Sequence, residues 1–279
     1  MDTSAHKIGD AETRENGGRE EVKEEKRKAK RKEGGEGRGE KGGEERRRVE
    51  RLLTDQVIDF QSQYSKDSVL ADILTEAEAF FNLSAGGGLE SDLSAVFGAL
   101  NDLANNPAGV TERNVLKATL SRMSDTFKLT SQSLTDVRRG TDNEINEIVT
   151  KLTSLTSEIA RLNKEIIGQS STSTGGDLKD RRDQLIRELA EKINIKTLAQ
   201  TDGSVTVLLG QGRSLVEGAL AVSFTTLSDP ANSGLLAVQV KDAGGAVQTV
   251  SSEITGGRLG GLLAARDTKM SGYLTKLDT

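Results

Sequence analysis

The chain has 279 residues, of which 34% are hydrophobic, 29% are charged and only 3% are aromatic. It contains no Cys, so disulfides, thiol chemistry and Cys-ligated zinc are excluded, and so few aromatics disfavour a thick enzyme core. The formal net charge of −5 comes from 38 Lys/Arg against 43 Asp/Glu, a balance that does not favour nucleic acid as a partner.

The first 48 residues are dominated by Lys, Arg, Glu and Gly. Such a segment buries too little apolar surface to offset the entropy lost on ordering, so we predict a disordered charged tail. The only His, His6, lies in this tail, and no His-based triad or metal site is expected. Residues 37–42 match G-x-G-x-x-G, but no strand precedes them, so a dinucleotide site is not expected. The tail lacks the apolar core of a secretory signal, and no apolar run is long enough to span a membrane.

Two amphipathic helices are predicted after the tail, because apolar residues recur there at helical spacing. The first begins at Val49 and ends near Leu83, before a Gly-rich break. The apolar face predicted for it consists of Leu53, Val57, Phe60, Tyr64, Ala71, Leu74, Ala77 and Phe81. The second helix ends at a turn over residues 105–109. Its predicted apolar face consists of Leu89, Leu93, Val96, Phe97, Leu100 and Leu103.

The longest predicted element runs from Val110 to Gly168, with Thr111 as its N-cap. Its apolar stripe recurs about every 3.6 residues, which is the period of one helix face. A helix of this length would span roughly 85–90 Å, so it requires partner helices along its length. We therefore predict a mainly α fold, built as a long antiparallel helical bundle. The positions predicted to pack in the bundle are Leu116, Leu120, Met123, Phe127, Leu134, Ile145, Ile148, Leu152, Leu155, Ile159, Leu162 and Ile166.

A further helix is predicted from Asp177 to about Asn194, after a polar Ser/Thr/Gly loop. The apolar period then changes to two, which predicts a small β-rich part made of antiparallel hairpins. The strongest hairpin signal joins residues 195–199 to residues 205–209 through the turn Asp202-Gly203. Further strands are predicted at 215–216, 220–224, 235–240 and 247–250.

The predicted organisation has four parts. Residues 1–48 form the charged tail, 49–194 the long-helix bundle domain, 195–255 the β-rich segment, and 256–279 the start of a returning helix of the bundle. The apolar stripe of this last helix is still open at Thr279, so we expect the helix to be truncated.

Candidate catalytic groups are weak throughout. The carboxylate pairs Glu76 with Glu78 and Glu144 with Glu147 lie at positions typical of solvated helix faces. The Gly-rich run 256–261 precedes a helix and could cradle a phosphate, but it lacks the Lys-Ser/Thr of a P-loop. A flexible hinge is the favoured interpretation of this run. No catalytic residue, cofactor or metal is expected.

Two groups of neighbouring Arg and Asp residues lie near predicted helix starts, Arg181-Arg182-Asp183 and Arg266-Asp267. We predict that they form local ion pairs, in preference to a role between subunits.

Several motifs occur in an order that resembles a known family. They are residues 100–107 (LNDLANNP) before the long helix, 177–189 (DLKDRRDQLIREL), 202–207 (DGSVTV), 210–218 (GQGRSLVEG) and 256–267 (GGRLGGLLAARD). Together they resemble the flagellar hook-associated protein 1 family, the proteins of the hook–filament junction. The resemblance covers about residues 49–279.

This resemblance implies a structural subunit of the bacterial flagellum without catalytic residues. Such a protein passes unfolded through the flagellar type III export channel, without a cleaved signal peptide, and assembles outside the cell at the hook–filament junction. The implied partners are further copies of itself in a homo-oligomeric ring, the hook protein, the second junction protein and a flagellar export chaperone. Nucleic acid and membrane are not expected partners.

The sequence departs from the family at both ends. The family begins with a helix that carries a Leu- and Asn-rich motif and ends with a complementary helix, and these two pair in an inner tube. Here a charged run stands before Val49, and the chain stops at Thr279. We therefore expect a chain truncated at both ends.

A second class of function also fits the long helices: a cytoplasmic coiled-coil scaffold or an export adaptor. The β-rich segment disfavours it, because a coiled-coil adaptor has no need of such a segment.

Overall fold

The computed structural model describes residues 39–82, 88–168, 175–210 and 212–278. Contacts divide the chain into two units, Met1–Thr54 and Asp55–Thr279. In the first unit, the described residues 39–54 are helical. Most of the predicted tail, residues 1–38, lies outside the described residues.

The end predicted for the charged tail is wrong for residues 39–48, because the first helix begins at Gly39. Residues 44–48 read Glu-Glu-Arg-Arg-Arg, and both residue types have high helix propensity. The change of composition at Val49 therefore marks the first apolar residues of a helix that has already started.

The predicted mainly α fold with a small β-rich part is confirmed. Four helices come first: α1 (Gly39–Asn82), α2 (Gly88–Asn105), α3 (Val110–Gly168) and α4 (Gly175–Lys192). The C-terminal part has α5 (Gly257–Ala264), a π-helical turn (Ala265–Met270) and α6 (Ser271–Leu277). The 59 residues of α3 make it the element on which the second unit is built, because α2, α4, α5, α6 and strands of both sheets contact it.

The β-rich part forms two antiparallel sheets. The first contains β1 (Ile195–Ala199), β2 (Val205–Leu209), β3 (Arg213–Glu217) and β4 (Leu220–Ala221), in that order. The second contains β5 (Ser223–Ser228), β6 (Leu236–Lys241) and β7 (Val247–Thr249), in that order.

The strongest predicted hairpin is confirmed, since Ile195 pairs with Leu209 and Ala199 with Val205. Its turn uses both predicted residues. Gly203 has φ of +86°, a conformation that favours glycine, and Asp202 Oδ1 accepts a hydrogen bond from Ser204 N at 2.9 Å.

The core of the second unit lies where the C-terminal half of α3 meets α4, α5 and the inner strands. In α1 the predicted apolar face is wrong in its first half, because Val57, Phe60 and Tyr64 are exposed. Ala77 of the predicted face is buried, as expected, and the other buried residues of α1 lie outside that face: Ile58, Ser62, Val69 and Ile73. Apolar residues occupy two opposite faces of α1, and the tertiary contacts decide which of them is covered.

The Gly-rich run 256–261 is a site of close packing, so the flexible hinge predicted there is wrong. Gly257 has φ of +68°, and a Cβ on it would lie 2.3 Å from the backbone N of Ile193. A Cβ on Gly261 would lie 2.4 Å from Val69 Cγ1, where α5 crosses α1. The missing side chains let two helices approach more closely than a Cβ would permit.

Candidate functional site

The predicted packing positions of α3 fall into two groups. Eight of them are buried, all in the part of the helix after Thr130: Leu134, Ile145, Ile148, Leu152, Leu155, Ile159, Leu162 and Ile166. Nearer the start of α3, Leu116 and Met123 are half-buried, and Leu120 and Phe127 are exposed. This first part of α3 packs against α2, and that contact covers only one side of the stripe.

The contact between α2 and α3 is centred on Asp92, a buried carboxylate. Asp92 accepts hydrogen bonds from Arg122 Nε at 2.8 Å and from Thr126 Oγ1 at 2.6 Å. Because a buried charge without partners is costly, these bonds fix the position of α2 on α3. The sequence predicted an apolar face for α2 and gave no sign that Asp92 lies within the contact.

A row of polar side chains on α3 holds the β-rich part in place. Thr153 Oγ1 accepts a hydrogen bond from Phe224 N at 2.8 Å and donates to Phe224 O at 3.1 Å. One turn later, Thr156 Oγ1 donates to Val222 O at 3.0 Å. The start of β5 is therefore bonded to α3 through its backbone.

The same row continues in both directions along α3. Asn163 bonds the backbone of Val205 and Gly218 in the first sheet. Nearer the start of the helix, Asp142 Oδ1 accepts from Leu236 N at 2.9 Å, at the start of β6. We call Asp142, Thr153, Thr156 and Asn163 the polar row. The sequence analysis did not identify the polar row, although Thr156 and Asn163 directly follow the predicted packing positions Leu155 and Leu162.

Among the side chains that the structure describes, the most deeply buried charge is the guanidinium of Arg266, of which only 1% is exposed. It pairs with Asp267 through Nε at 2.7 Å and Nη2 at 2.8 Å, so the predicted local ion pair is confirmed. It also pairs with Asp142 of α3 and donates to Leu236 O at 2.9 Å. Burial alone would lower the pKa of Arg266, but the two carboxylates outweigh it and raise this pKa.

A second layer of hydrogen bonds surrounds this arginine. Asn232, in the connection between β5 and β6, donates to Asp267 Oδ1 at 2.8 Å. Arg138 of α3 donates to Asn232 Oδ1 and to Arg266 O, both at 3.2 Å. The network therefore joins α3, the second sheet and the π-helical turn at one point, which we call the Arg266 cluster.

Two further arginines join elements of the β-rich part. Arg182 pairs with its neighbour Asp183 at 3.1 Å, as predicted, and its Nη1 also donates to Gly203 O at 2.8 Å in the β1–β2 turn. Arg213 of β3 makes a bidentate pair with Glu253, at 2.8 and 2.7 Å. The hydrogen bond from Arg213 is the main reason why the pKa of Glu253 is lowered.

The two carboxylate pairs considered as catalytic candidates do not form a buried site. Glu76, Glu78 and Glu147 are exposed, and Glu144 is half-buried and pairs with Arg258. In the described part of the chain, no three His, Cys, Asp or Glu side chains are placed to hold a metal ion. No helix among the described residues is long and apolar enough to cross a membrane.

Fold and contacts together define a helical scaffold domain: one long helix carries a bundle and two small sheets, fastened by buried polar side chains. The family model described as "Flagellar hook-associated protein FlgK helical domain" matches residues 74–279. The chain therefore belongs to this family.

Individual relatives agree with the family match. The chain is 26% identical to flagellar hook-associated protein 1 of Salmonella typhimurium over 226 residues, covering 79% of this chain and 40% of that protein. It is 28% identical to the Bacillus subtilis protein of the same name over 177 residues, covering 61% of this chain and 35% of that one. The chain thus spans about two fifths or less of the length of these relatives.

A solved structure shows the same fold. The flagellar hook junction protein FlgK from Burkholderia pseudomallei superimposes with a TM-score of 0.70 at 26% sequence identity. The match covers 80% of this chain and 41% of that protein.

Proposed function

We propose that this chain is a structural subunit of the bacterial flagellum that acts at the hook–filament junction by packing and self-assembly. The observation that carries the proposal is the family match over residues 74–279, together with the fold shared with a flagellar hook junction protein. The relatives bear the name of a hook-associated protein. The chain acts, in this proposal, through helix surfaces and not through a reaction centre.

The buried charged side chains connect secondary-structure elements, which supports a structural role without catalysis. Asp92, Arg182 and Arg266 are buried, and each is bonded to groups that belong to another secondary-structure element. The catalytic groups of an enzyme, in contrast, face a cleft, where their pKa values serve the reaction. Here the same kinds of groups fix helices and strands to one another.

The proposed organisation follows from the polar row and the Arg266 cluster. Within the second unit, residues 55–194 and 256–279 supply the bundle, and residues 195–255 form a β-rich segment mounted on α3. The polar row fixes both sheets to this helix through their backbones. A subunit built in this way presents its long helix faces to neighbours while the sheets stay in a constant position.

The proposed partners are further copies in a ring, the hook protein, the second junction protein and a flagellar export chaperone. The proposed location is outside the cell, reached by type III export without a cleaved signal peptide. The composition supports such a route, because the chain has no Cys and refolding after export would require no disulfide.

Immunogold labelling tests this function. Antibodies raised against the purified chain should label the junction of hook and filament on cells of the source organism, and a strain that lacks the gene should show no label. Label confined to the cytoplasm would contradict the proposal and favour the scaffold or export-adaptor alternative.

A further inference from the structure

Helix α1 has an exposed apolar ridge on the face turned away from its own core. Phe60 is 74% exposed and Tyr64 66% exposed, and their rings stack with centroids 6.5 Å apart. Val57, one turn earlier, is also exposed. Successive residues of a helix are about 100° apart, so the buried residue Ser62 lies on nearly the opposite side of α1 from these three side chains. A helix that is apolar on two opposite faces is normally covered on both. We call Val57, Phe60 and Tyr64 the α1 ridge.

A second exposed apolar surface lies along the pair α2–α3. On α2, the exposed apolar side chains directly follow the buried contact residues in sequence, as Leu93 follows Asp92 and Phe97 follows Val96. On α3, Phe127 likewise follows Thr126, which bonds Asp92. In two antiparallel helices, positions one residue after the contact row turn to the same side of the pair. The exposed members form one surface, which we call the apolar groove: Leu93, Phe97, Leu100, Leu120 and Phe127.

The ridge and the groove of one copy lie too far apart to meet. Gln61, within the ridge segment, bonds Glu191 of α4 at 2.6 Å. One turn earlier on α4, Glu188 pairs with Lys151 of α3 at 3.3 Å. The ridge is therefore level with Lys151, whereas the groove ends near Phe127. That separation along α3 corresponds to roughly 35 Å at about 1.5 Å per residue.

Shape and charge make the two surfaces fit each other. A groove between two antiparallel helices accepts the ridge of a third helix, as in a helical bundle. Exposed basic residues lie along the α3 side of the groove at Arg113, Lys117 and Lys128, and the α2 side has the exposed acidic residue Glu90. The basic residues outnumber the acidic one at this edge. Exposed acidic residues stand near the ridge at Asp59 and Asp67. Opposite charges at the edges of such a contact favour docking in one orientation.

We propose that the α1 ridge of one copy docks into the apolar groove of a second copy. Because the two surfaces differ and lie at different levels of the subunit, the contact is head-to-tail. Such a contact leaves a free ridge and a free groove at the ends, so it extends into a ring or an open series of subunits. This proposal rests on the self-assembly part of the proposed function and names the surfaces that carry it.

Site-directed cross-linking tests the contact directly, since the chain contains no Cys. One full-length variant carries Tyr64→Cys and a second carries Leu120→Cys, and the two are mixed and oxidised. We expect a disulfide-linked heterodimer. The matched control replaces Leu120→Cys by Ala118→Cys, which is exposed on the same helix. Position 118 precedes position 120 by two residues, which is about 200° around the helix, so it lies on the side of α3 turned away from the groove. An adduct yield no higher than in this control would overturn the proposal, as would homodimers of Leu120→Cys alone in place of heterodimers.

A second measurement uses no new thiol. Phe60→Asp changes a largely exposed side chain, so helix content and thermal unfolding should stay as in the wild type. Self-association measured by sedimentation equilibrium should weaken by about tenfold or more, as for an aromatic residue at the centre of an interface. Unchanged association, or a wild type that stays monomeric, would contradict the ridge–groove contact. Neither result depends on where the protein resides, so the flagellar function can fail while this contact holds, and the reverse.

Discussion

The side-chain amide of Asn163 holds the backbone of Val205 through both of its polar atoms. Its Nδ2 donates to Val205 O at 2.9 Å, and its Oδ1 accepts from Val205 N at 3.1 Å. The same Nδ2 donates to Gly218 O at 3.0 Å. Asn163 is fully buried, so a residue of the long helix α3 satisfies backbone groups that begin β2 and follow β3.

Replacing Asn163 should therefore cost more than an ordinary surface change. Asn163→Ala leaves the two buried backbone groups of Val205 and the half-buried Gly218 O without this partner. We expect a loss of about 2–3 kcal/mol in the free energy of unfolding. Urea unfolding followed by circular dichroism measures the loss. Asn143→Ala, at an exposed position of the same helix, serves as the control and should change stability by less than about 0.5 kcal/mol. Equal losses in both variants would show that the amide does not anchor the sheet.

The stripe of α3 gives a second prediction. Leu152 is fully buried and Leu155 nearly so, and either one changed to Asp would bury a carboxylate without a partner. We expect each change to lower the free energy of unfolding by about 4–5 kcal/mol or more, enough to unfold many domains. Thermal unfolding measures this, with Ser157→Asp on the exposed side of α3 as the control. A melting temperature that does not shift for Leu152→Asp would contradict the packing assigned to the stripe.

The extent of α3 and of the first hairpin could be predicted from the sequence because it depends on local signals. The bounds Val110 and Gly168 coincide with those of α3, since a turn with Pro107 precedes the helix and glycine ends it. The Asp202-Gly203 hairpin was equally local. Both kinds of signal act within a few residues of the chain.

The faces of the helices could not be predicted in the same way. In α1, Val57 and Phe60 lie on one face and Ile58 and Val69 on the other, and both sets recur at helical spacing. Periodicity identifies an apolar face but not the surface that covers it. The partners of the polar row could not be predicted either, because they are distant in sequence: Asn163 and Val205 are 42 residues apart.

The Arg266 cluster gives a third prediction. Arg266→Met removes the cation that Asp142 and Asp267 share, and breaking such a buried pair costs about 3–5 kcal/mol in the free energy of unfolding. Asp142→Asn keeps an acceptor for Leu236 N and should cost less. Chemical denaturation of both single variants and of the double variant then gives a coupling energy, which we expect to be about 1–3 kcal/mol.

A neighbouring arginine on α3 provides the control for this cycle. Arg139 is largely exposed and lies 3.7 Å from Asp136. Because exposed ion pairs contribute little, Arg139→Met should change stability by less than about 1 kcal/mol. If Arg266→Met were no more harmful than Arg139→Met, the cluster would not fasten the C-terminal helices to α3.

The pair between Arg213 and Glu253 predicts a dependence of stability on pH. The hydrogen bonds from Arg213 hold the pKa of Glu253 below its ordinary value of 4.5 in the folded chain. A lowered folded-state pKa means that the unfolded chain binds the proton first, so the pair stabilises the fold fully above pH 4.5. This stabilisation is lost as the pH falls through the lower folded-state pKa. Other carboxylates titrate in the same range, so the informative quantity is the difference between wild type and variant.

Glu253→Gln removes the titrating group while it keeps the size of the side chain. Urea unfolding at a series of pH values from about 6 to 3 should show a smaller loss of stability for this variant than for the wild type, since only the wild type has the Glu253 proton to take up. Arg213→Met should reduce the loss by a similar amount, because without the guanidinium the pKa of Glu253 has no reason to stay low. The double variant should behave like either single variant. If Glu253→Gln and Arg213→Met both lost stability with falling pH as the wild type does, the bidentate pair between β3 and the segment after β7 would add nothing to the stability of the fold.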